Sequence, residues 1–278
     1  MYFNKAAFLH SFRLFKTKMN MHLRIIFLFF ILLGLTTCKK EVLEPNIIVA
    51  NIEREFVISY VEKFSKSGRH LQFEVSTIKN QPCGNYTVKT SWQQSPSLLS
   101  LNIDGIEKSN ACIGNAAIAK GSETAQSLSE GSWPIDIKIQ NIIRNPGKLS
   151  ISKGGYQLIL ESTHGLSLLQ KELKQIPSGT IWGNVSYKPE YAATARVFTE
   201  DLKKLTKNNL LNDGEYGYFS IQNEIIKFRD TPGDLSTLPI VRTQSMDVDL
   251  ILNLVNTYRS KHKENILIQL SDTNGITY

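Results

Sequence analysis

Apolar and polar residues alternate with a period close to two between Phe56 and Glu161. This alternation is typical of β-strands that bury one face, and turn-forming residues such as Asp104-Gly105 separate the apolar stretches. At least six short antiparallel strands are therefore predicted, which favours a β-sandwich domain over residues 51–165. The apolar positions that carry the pattern are Phe73, Val75, Tyr86, Val88, Leu99, Leu101, Ile103, Ile135, Ile137, Ile139, Leu149, Ile151, Tyr156, Leu158 and Leu160.

Two stretches of this region break the alternation. Residues 110–132 contain few large apolar side chains and predict a long loop within the sandwich. After Gly165 the apolar residues lie three or four positions apart, and Pro177 would end a helix of that spacing. The second pattern predicts a connector helix over residues 166–179. Its apolar positions are Leu166, Leu169, Leu173 and Ile176.

Residues 180–278 carry strand and helix patterns in the order β-α-β-β-α-β. Thr199 and Ser245 can each cap a helix with acidic residues in its first turn. The series matches the ferredoxin-like split βαβ plan, in which two helices cover one face of a four-stranded sheet. The predicted fold class is therefore α+β, an N-terminal antiparallel β-sandwich followed by a ferredoxin-like domain. The predicted elements are strands at 180–187, 216–221, 225–228 and 266–270 and helices at 198–207 and 246–261.

An unbroken apolar run from Ile25 to Leu33 follows Arg24, and small residues and Cys38 follow the run. This order of charge, apolar stretch and small residues is that of an export signal. The 11 residues from Ile25 to Leu35 would form roughly 16 Å of helix, which is short of the roughly 30 Å of bilayer hydrocarbon. A membrane anchor and a cleaved soluble protein remain the alternatives.

The quartet Leu35-Thr36-Thr37-Cys38 resembles the lipobox of bacterial lipoproteins, and this resemblance is limited to residues 21–38. It implies that residues 1–37 are a signal peptide, whose residues 1–20 include an overextended start or a long basic n-region. It also implies that Cys38 carries the lipid and that residues 38–50 form a lipidated tether. The resemblance thus predicts a membrane-anchored lipoprotein of the bacterial cell envelope, in the periplasm or at the outer-membrane surface.

Signal removal changes the charge of the protein. Five of the 32 Lys and Arg residues precede Cys38, which leaves 27 basic residues against 25 acidic ones. The mature chain is close to neutral, and no basic block of the kind that neutralises phosphates follows Cys38. The sequence therefore predicts no nucleic-acid partner.

Cys83 and Cys112 are the two cysteines that follow Cys38. In an oxidising compartment two such thiols predict one disulfide, and the alternative is a catalytic thiol with a basic partner. The cysteines show neither a CxxC motif nor the His/Cys spacing of a zinc site. No metal and no cofactor are predicted.

Two arrangements offer a hydrolase as an alternative function. His164 is flanked by hydroxyls and by Glu161, so it is the best candidate for a general base. Glu215 and Glu224 fall on neighbouring predicted strands near Asp213, where two carboxylates could pair for glycoside hydrolysis. Loop and turn roles explain the same residues, and the catalytic assignment is therefore none.

The three tryptophans are the candidate ligand-binding residues. Trp92, Trp133 and Trp182 fall on predicted strands or next to them. Aromatic faces on a β-surface can stack on sugar rings or anchor a protein partner, although core packing is the default interpretation for each tryptophan.

Taken together, these patterns favour binding over catalysis. The sequence predicts a lipid-anchored envelope protein that acts as an interaction module, with the membrane and an envelope protein or glycan as its partners. The alternatives are a glycan-binding surface lipoprotein and an envelope hydrolase.

The lipobox resemblance makes a testable prediction about Cys38. We expect Cys38→Ala to abolish lipidation and to leave an unprocessed precursor, because the thiol that accepts the lipid is lost. Metabolic labelling with an alkyne fatty acid, followed by gel analysis of membrane fractions, measures both effects. A variant that is still processed and labelled would contradict the assignment.

Overall fold

The computed structural model of the protein describes residues 53–229 and 235–278. These residues belong to one compact unit. The predicted signal peptide, the lipidated Cys38 and the tether lie outside the described residues. The boundary predicted near residues 166–179 stays a prediction.

Ten strands form a single curled sheet instead of the two facing sheets of a sandwich. The strand order is β10-β8-β7-β6-β4-β3-β5-β2-β1-β9, and the pairs β1–β9, β3–β5 and β4–β6 are parallel. The predicted antiparallel β-sandwich is therefore wrong, although strands do form where the alternation predicts them. The ten strands are β1 (Phe56–Ser65), β2 (Gly68–Thr77), β3 (Thr87–Ser95), β4 (Leu98–Glu107), β5 (Lys120–Ala125), β6 (Gly131–Ile139), β7 (Ile143–Ser152), β8 (Gly155–Leu160), β9 (Leu166–Leu168) and β10 (Glu172–Lys174).

Residues 166–174 join the two ends of this sheet. Their first part pairs with β1 as β9, and their last part pairs with β8 as β10. Between them, Gln170 Nε2 donates to the Tyr60 carbonyl at 2.7 Å, and the Tyr60 hydroxyl donates to the Lys171 carbonyl at 2.9 Å. The predicted connector helix is wrong, because Leu169 is 61% exposed and points away from the apolar face that a helix would have needed. β5 likewise forms inside the segment predicted as a loop.

The inner face of the curled sheet holds one large hydrophobic core. The alternation puts Ile58 and Tyr60 of β1, Phe73 of β2 and Leu101 of β4 on that face, each fully buried. Burial of such a face from every strand supplies most of the favourable free energy of folding.

The C-terminal residues form two smaller sheets and two helices. β12-β16-β11-β17 is a four-stranded sheet, and β13-β14-β15 is a separate three-stranded sheet. The elements are β11 (Thr180–Tyr187), a 3-10 helix (Pro189–Tyr191), α1 (Ala192–Leu205), β12 (Thr206–Asn208), β13 (Gly214–Glu215), β14 (Phe219–Gln222), β15 (Ile225–Phe228), β16 (Ser236–Gln244), α2 (Val248–Lys261) and β17 (Ile266–Asp272).

The ferredoxin-like α+β prediction is also wrong. Two of its four strands, predicted at 216–221 and 225–228, belong to the three-stranded sheet, and β16, which the prediction lacks, pairs with β11 in their place. Strands predominate over the whole described chain, and α1 and α2 are its only α-helices. The fold is a mostly β structure built on the ten-stranded mixed sheet.

Both helices pack on one face of the four-stranded sheet. Phe198 and Leu202 of α1 and Ile251 and Val255 of α2 are fully buried in a second hydrophobic core against that face. Asp247 caps α2 by accepting from the Asp249 amide, two residues after the predicted cap at Ser245. The helices thus leave the opposite sheet face for other contacts.

Glu62, near the C-terminal end of β1, forms a buried ion pair with Arg69. The Glu62 carboxylate is fully buried and accepts hydrogen bonds from Arg69 of β2, from the Tyr156 hydroxyl of β8 at 2.8 Å and from the Ile176 amide at 2.8 Å. Burial raises the pKa of Glu62, and the Ile176 amide, Arg69 and the Tyr156 hydroxyl oppose that rise. One carboxylate therefore connects β1, β2, β8 and the segment that leads to β11.

The structure confirms the predicted cysteine pair. Cys83 and Cys112 lie at disulfide distance, with a Cα–Cα separation of 5.3 Å. The bond encloses a loop that also contains Asn85, whose side chain donates to the Ala111 carbonyl and accepts from the Ile113 amide. The disulfide therefore joins the two ends of the β3–β4 hairpin.

The disulfide should stabilise the protein through the unfolded state. Replacement of both cysteines by serine should lower the free energy of unfolding by about 3 to 4 kcal/mol, as expected from chain entropy for a sequence separation of 29 residues. Urea unfolding measures the change, and the unaltered protein in reductant is the control. An unchanged midpoint in both samples would contradict the prediction.

The Glu62 ion pair makes a sharper stability prediction. Glu62→Leu should cost about 3 to 5 kcal/mol, because it leaves Arg69 without its buried partner. Glu62→Leu combined with Arg69→Leu should cost less than that single change, because no charge is left unpaired. Urea unfolding of the two single variants and the double variant measures the coupling, and simple additivity would argue against the pair.

Candidate functional site

A cavity of about 370 Å³ lies between the curled sheet and the C-terminal sheets. Its walls come from β1 and β2 on one side, β11 and β17 on the other, and the segment around Tyr218 on a third. The volume falls within the roughly 300–1,000 Å³ of small-molecule sites. We call this space the Trp182 cavity.

Aromatic rings form one wall of the Trp182 cavity. Trp182 is only 4% exposed, and its ring centroid lies 5.3 Å from that of Phe64 and 5.3 Å from that of Tyr218. Lys63 Nζ lies 5.4 Å from the centroid of Tyr218, and the Arg69 guanidinium lies 5.1 Å from that of Phe64. These contacts belong to a third hydrophobic cluster, which joins β1 to the C-terminal part of the described chain.

Strand alternation explains why Trp182 faces the cavity. In β11, Ile181 and Val185 point to the helices, so Trp182 and Asn184 point to the opposite face of the sheet. Close backbone approach then requires glycine. At Gly217, which has a φ of +87°, a Cβ atom would lie 3.2 Å from Val61 Cβ.

The Tyr218 hydroxyl is a structural donor. It donates to the Glu62 backbone carbonyl at 2.6 Å, which fixes the ring between Lys63 and Trp182. Burial raises the pKa of Tyr218, and the nearby Glu74 and Glu62 raise it further. The phenol therefore stays protonated at neutral pH.

Neutral polar side chains line the wall opposite β1. Asn184 of β11 and Gln269 and Ser271 of β17 face the cavity, together with Thr277. Asp272 brings Thr277 there, because its carboxylate accepts from the Ile276 amide at 2.9 Å and turns the chain back. A backbone bridge then pairs Ser271 with Thr277.

Three charged side chains complete the lining. Lys63 and Glu74 extend from the outer face of β1 and β2, and Arg229 follows β15. Glu74 accepts a hydrogen bond from the Ser59 hydroxyl at 3.3 Å. Glu74 is the one carboxylate among the described residues that line the cavity.

The structure does not bring the three candidate tryptophans together. Trp182 lines the cavity, whereas Trp92 stacks on Phe73 at 5.0 Å and Trp133 packs at the edge of the large core. Both of these indole groups are half-buried, and their Nε1 atoms donate to Gln94 Oε1 and to the Ser129 carbonyl. Trp92 and Trp133 therefore pack as core residues do, which was the alternative interpretation of these tryptophans.

His164 and the carboxylates near Asp213 stand apart from the cavity. The His164 side chain is exposed, and it is the His164 backbone that binds Asn145, whose Oδ1 accepts from the His164 amide at 2.7 Å. Asp213 accepts from the Asn223 amide at 2.9 Å and stabilises the turn between β14 and β15. Glu215 is exposed. These contacts match the loop and turn roles given above.

Sequence reasoning missed the polar half of the cavity. Asn184 and Ser186 alternate with apolar residues in a strand that is buried on both faces, and this pattern was the available signal.

Within residues 53–229 and 235–278, no three His, Cys, Asp or Glu side chains are placed to hold a metal ion. No helix in this part of the chain is long and apolar enough to cross a membrane.

Comparison with known proteins identifies no relative: no family model matches the chain, and no curated protein and no solved structure matches it.

Proposed function

We propose that the protein is a lipid-anchored component of the bacterial cell envelope that binds a small ligand in the Trp182 cavity without transforming it. The lipobox-like quartet that ends at Cys38 supports the anchor. The one observation that carries the binding function is a cavity of about 370 Å³ with aromatic and polar walls. Small-molecule sites combine apolar walls with a few placed polar groups in the same way.

Binding without chemistry is favoured by the groups at the cavity. Hydrolysis of a glycosidic bond uses two carboxylates about 5 to 10 Å apart, and Glu74 alone lines the described part of the cavity. The Tyr218 phenol is engaged with the Glu62 carbonyl, and its raised pKa makes it a poor proton donor or acceptor near neutral pH. The arrangement thus offers recognition more readily than catalysis.

The firm attachment of the cavity walls also supports a binding role. Trp182 contacts Phe64, and Tyr218 donates to Glu62, so walls from distant parts of the sequence are held by direct contacts. A site whose walls are fixed before the ligand arrives loses less conformational entropy on binding.

A cavity-filling variant tests the proposal. Ser271→Trp should block the cavity, and Leu267→Trp, four residues earlier on the same strand and outside the lining, is the matched control. The detergent-solubilised full chain is screened by thermal shift against defined sugars, amino acids, short peptides and peptidoglycan fragments. A ligand at one hundred times its Kd should raise the Tm by about 5 to 10 °C in the unaltered protein and the control.

The same ligand should leave the Tm of Ser271→Trp unchanged. If every stabilising compound acts equally on both tryptophan variants, or if none in the panel stabilises the protein, the cavity is not a binding site for these classes and the proposal fails.

A further inference from the structure

The neutral polar side chains of the Trp182 cavity lack partners within the described chain. Asn184 Oδ1 accepts from the Ser186 hydroxyl at 3.1 Å, which leaves the Asn184 amide nitrogen as a donor. Gln269, Ser271 and Thr277 make no side-chain hydrogen bond to any residue in 53–229 or 235–278, and all three line the cavity. Gln269 and Thr277 are exposed and Ser271 is half-buried, so water satisfies these groups in the free protein and a ligand can replace that water.

Asn184 is the most buried of these neutral polar residues. It is only 5% exposed, and it lies on a strand whose other residues are nearly all buried. Asn184 lines the cavity beside Trp182, so its amide nitrogen can donate to a ligand there.

Two of the three charged groups of the lining make contacts within the protein. Glu74 accepts from Ser59, and Lys63 lies over the Tyr218 ring, whereas the Arg229 side chain is exposed. A ligand that depended on Glu74 or Lys63 would have to displace these contacts, whereas hydroxyl groups could pair directly with Asn184, Gln269 and Ser271.

The apolar part of the lining favours a ring. Trp182, Tyr218 and Phe228 line the cavity together with Val61. A sugar ring presents C–H groups on its faces and hydroxyls, each both donor and acceptor, around its edge, which complements such a mixed lining.

We infer that the ligand of the Trp182 cavity is a saccharide, whose hydroxyls bind Asn184, Gln269 and Ser271 while its ring packs against the aromatic wall. This inference rests on the proposed binding function and narrows its ligand class. It also places the saccharide site at Trp182, and not at the surface around Trp92 or Trp133.

A glycan array tests the inference. The detergent-solubilised full chain is applied to neutral and uronate-containing oligosaccharides, and hits are measured by calorimetry. The Gln269→Ala/Ser271→Ala variant should bind at least about ten-fold more weakly, because two hydrogen bonds to the ligand are lost. The matched control is Gln126→Ala/Ser127→Ala, which removes the same side chains from an exposed segment outside the lining and should bind unchanged.

The outcomes separate this inference from the proposed function. Equal glycan binding by both double variants would place the sugar site elsewhere and overturn the inference. Absence of glycan binding, combined with an amino acid or peptide ligand that Ser271→Trp blocks, would overturn the saccharide class but keep the binding function. Absence of any ligand that depends on the cavity would overturn both. Asn184→Leu, which keeps the branched shape of the side chain and removes its polar atoms, should weaken glycan binding while circular dichroism shows an intact fold.

Discussion

A buried charge constrains the whole described structure. The Glu62 carboxylate has no access to water, so its stability depends on the donors supplied by Arg69, Tyr156 and the Ile176 amide. These donors come from β2, from β8 and from the segment that enters β11, which are far apart in sequence. One set of hydrogen bonds therefore links strands of the curled sheet to the segment that enters the C-terminal sheets.

The cavity is a direct consequence of that constraint. Arg69 pairs with Glu62 and also lies over Phe64, whose ring packs against Trp182. The backbone carbonyl of Glu62 accepts from the Tyr218 hydroxyl, which positions the third wall. The outer face of β1 thus faces the polar face of β11 and β17 at a fixed distance. Walls built on strands hold the shape of a site better than walls built on loops, and most of these walls come from β1, β2, β11 and β17.

Local patterns predicted local structure well and long-range pairing poorly. The alternation around Phe73 and Leu101 placed strands correctly, and the spacing around Phe198 and Ile251 placed the helices, because both patterns reflect burial of one face. Strand order carries no such signature: β9 and β10 are three residues long and pair with opposite ends of the sheet. The apolar residues of this segment have helical spacing, although its residues pair as strands and Leu169 is exposed. The ferredoxin-like plan failed for the same reason, since a β-β order does not say which sheet each strand joins.

The sequence also could not show which of the three tryptophans lines the cavity. Trp92, Trp133 and Trp182 have similar sequence surroundings, yet only Trp182 lies on a sheet face whose opposite side is already covered by helices. The face of this sheet that carries Trp182 must be covered by the curled sheet or be left to solvent. The hydrogen bonds of Glu62 hold the curled sheet against it. Asn184 and Ser186 on the same face are polar residues in a strand that is buried on both sides, where a folding core alone would favour apolar residues. Asn184 lines the cavity, and the Ser186 hydroxyl donates to Asn184 Oδ1 and so positions its side chain. This polar pair therefore supports the proposed binding function.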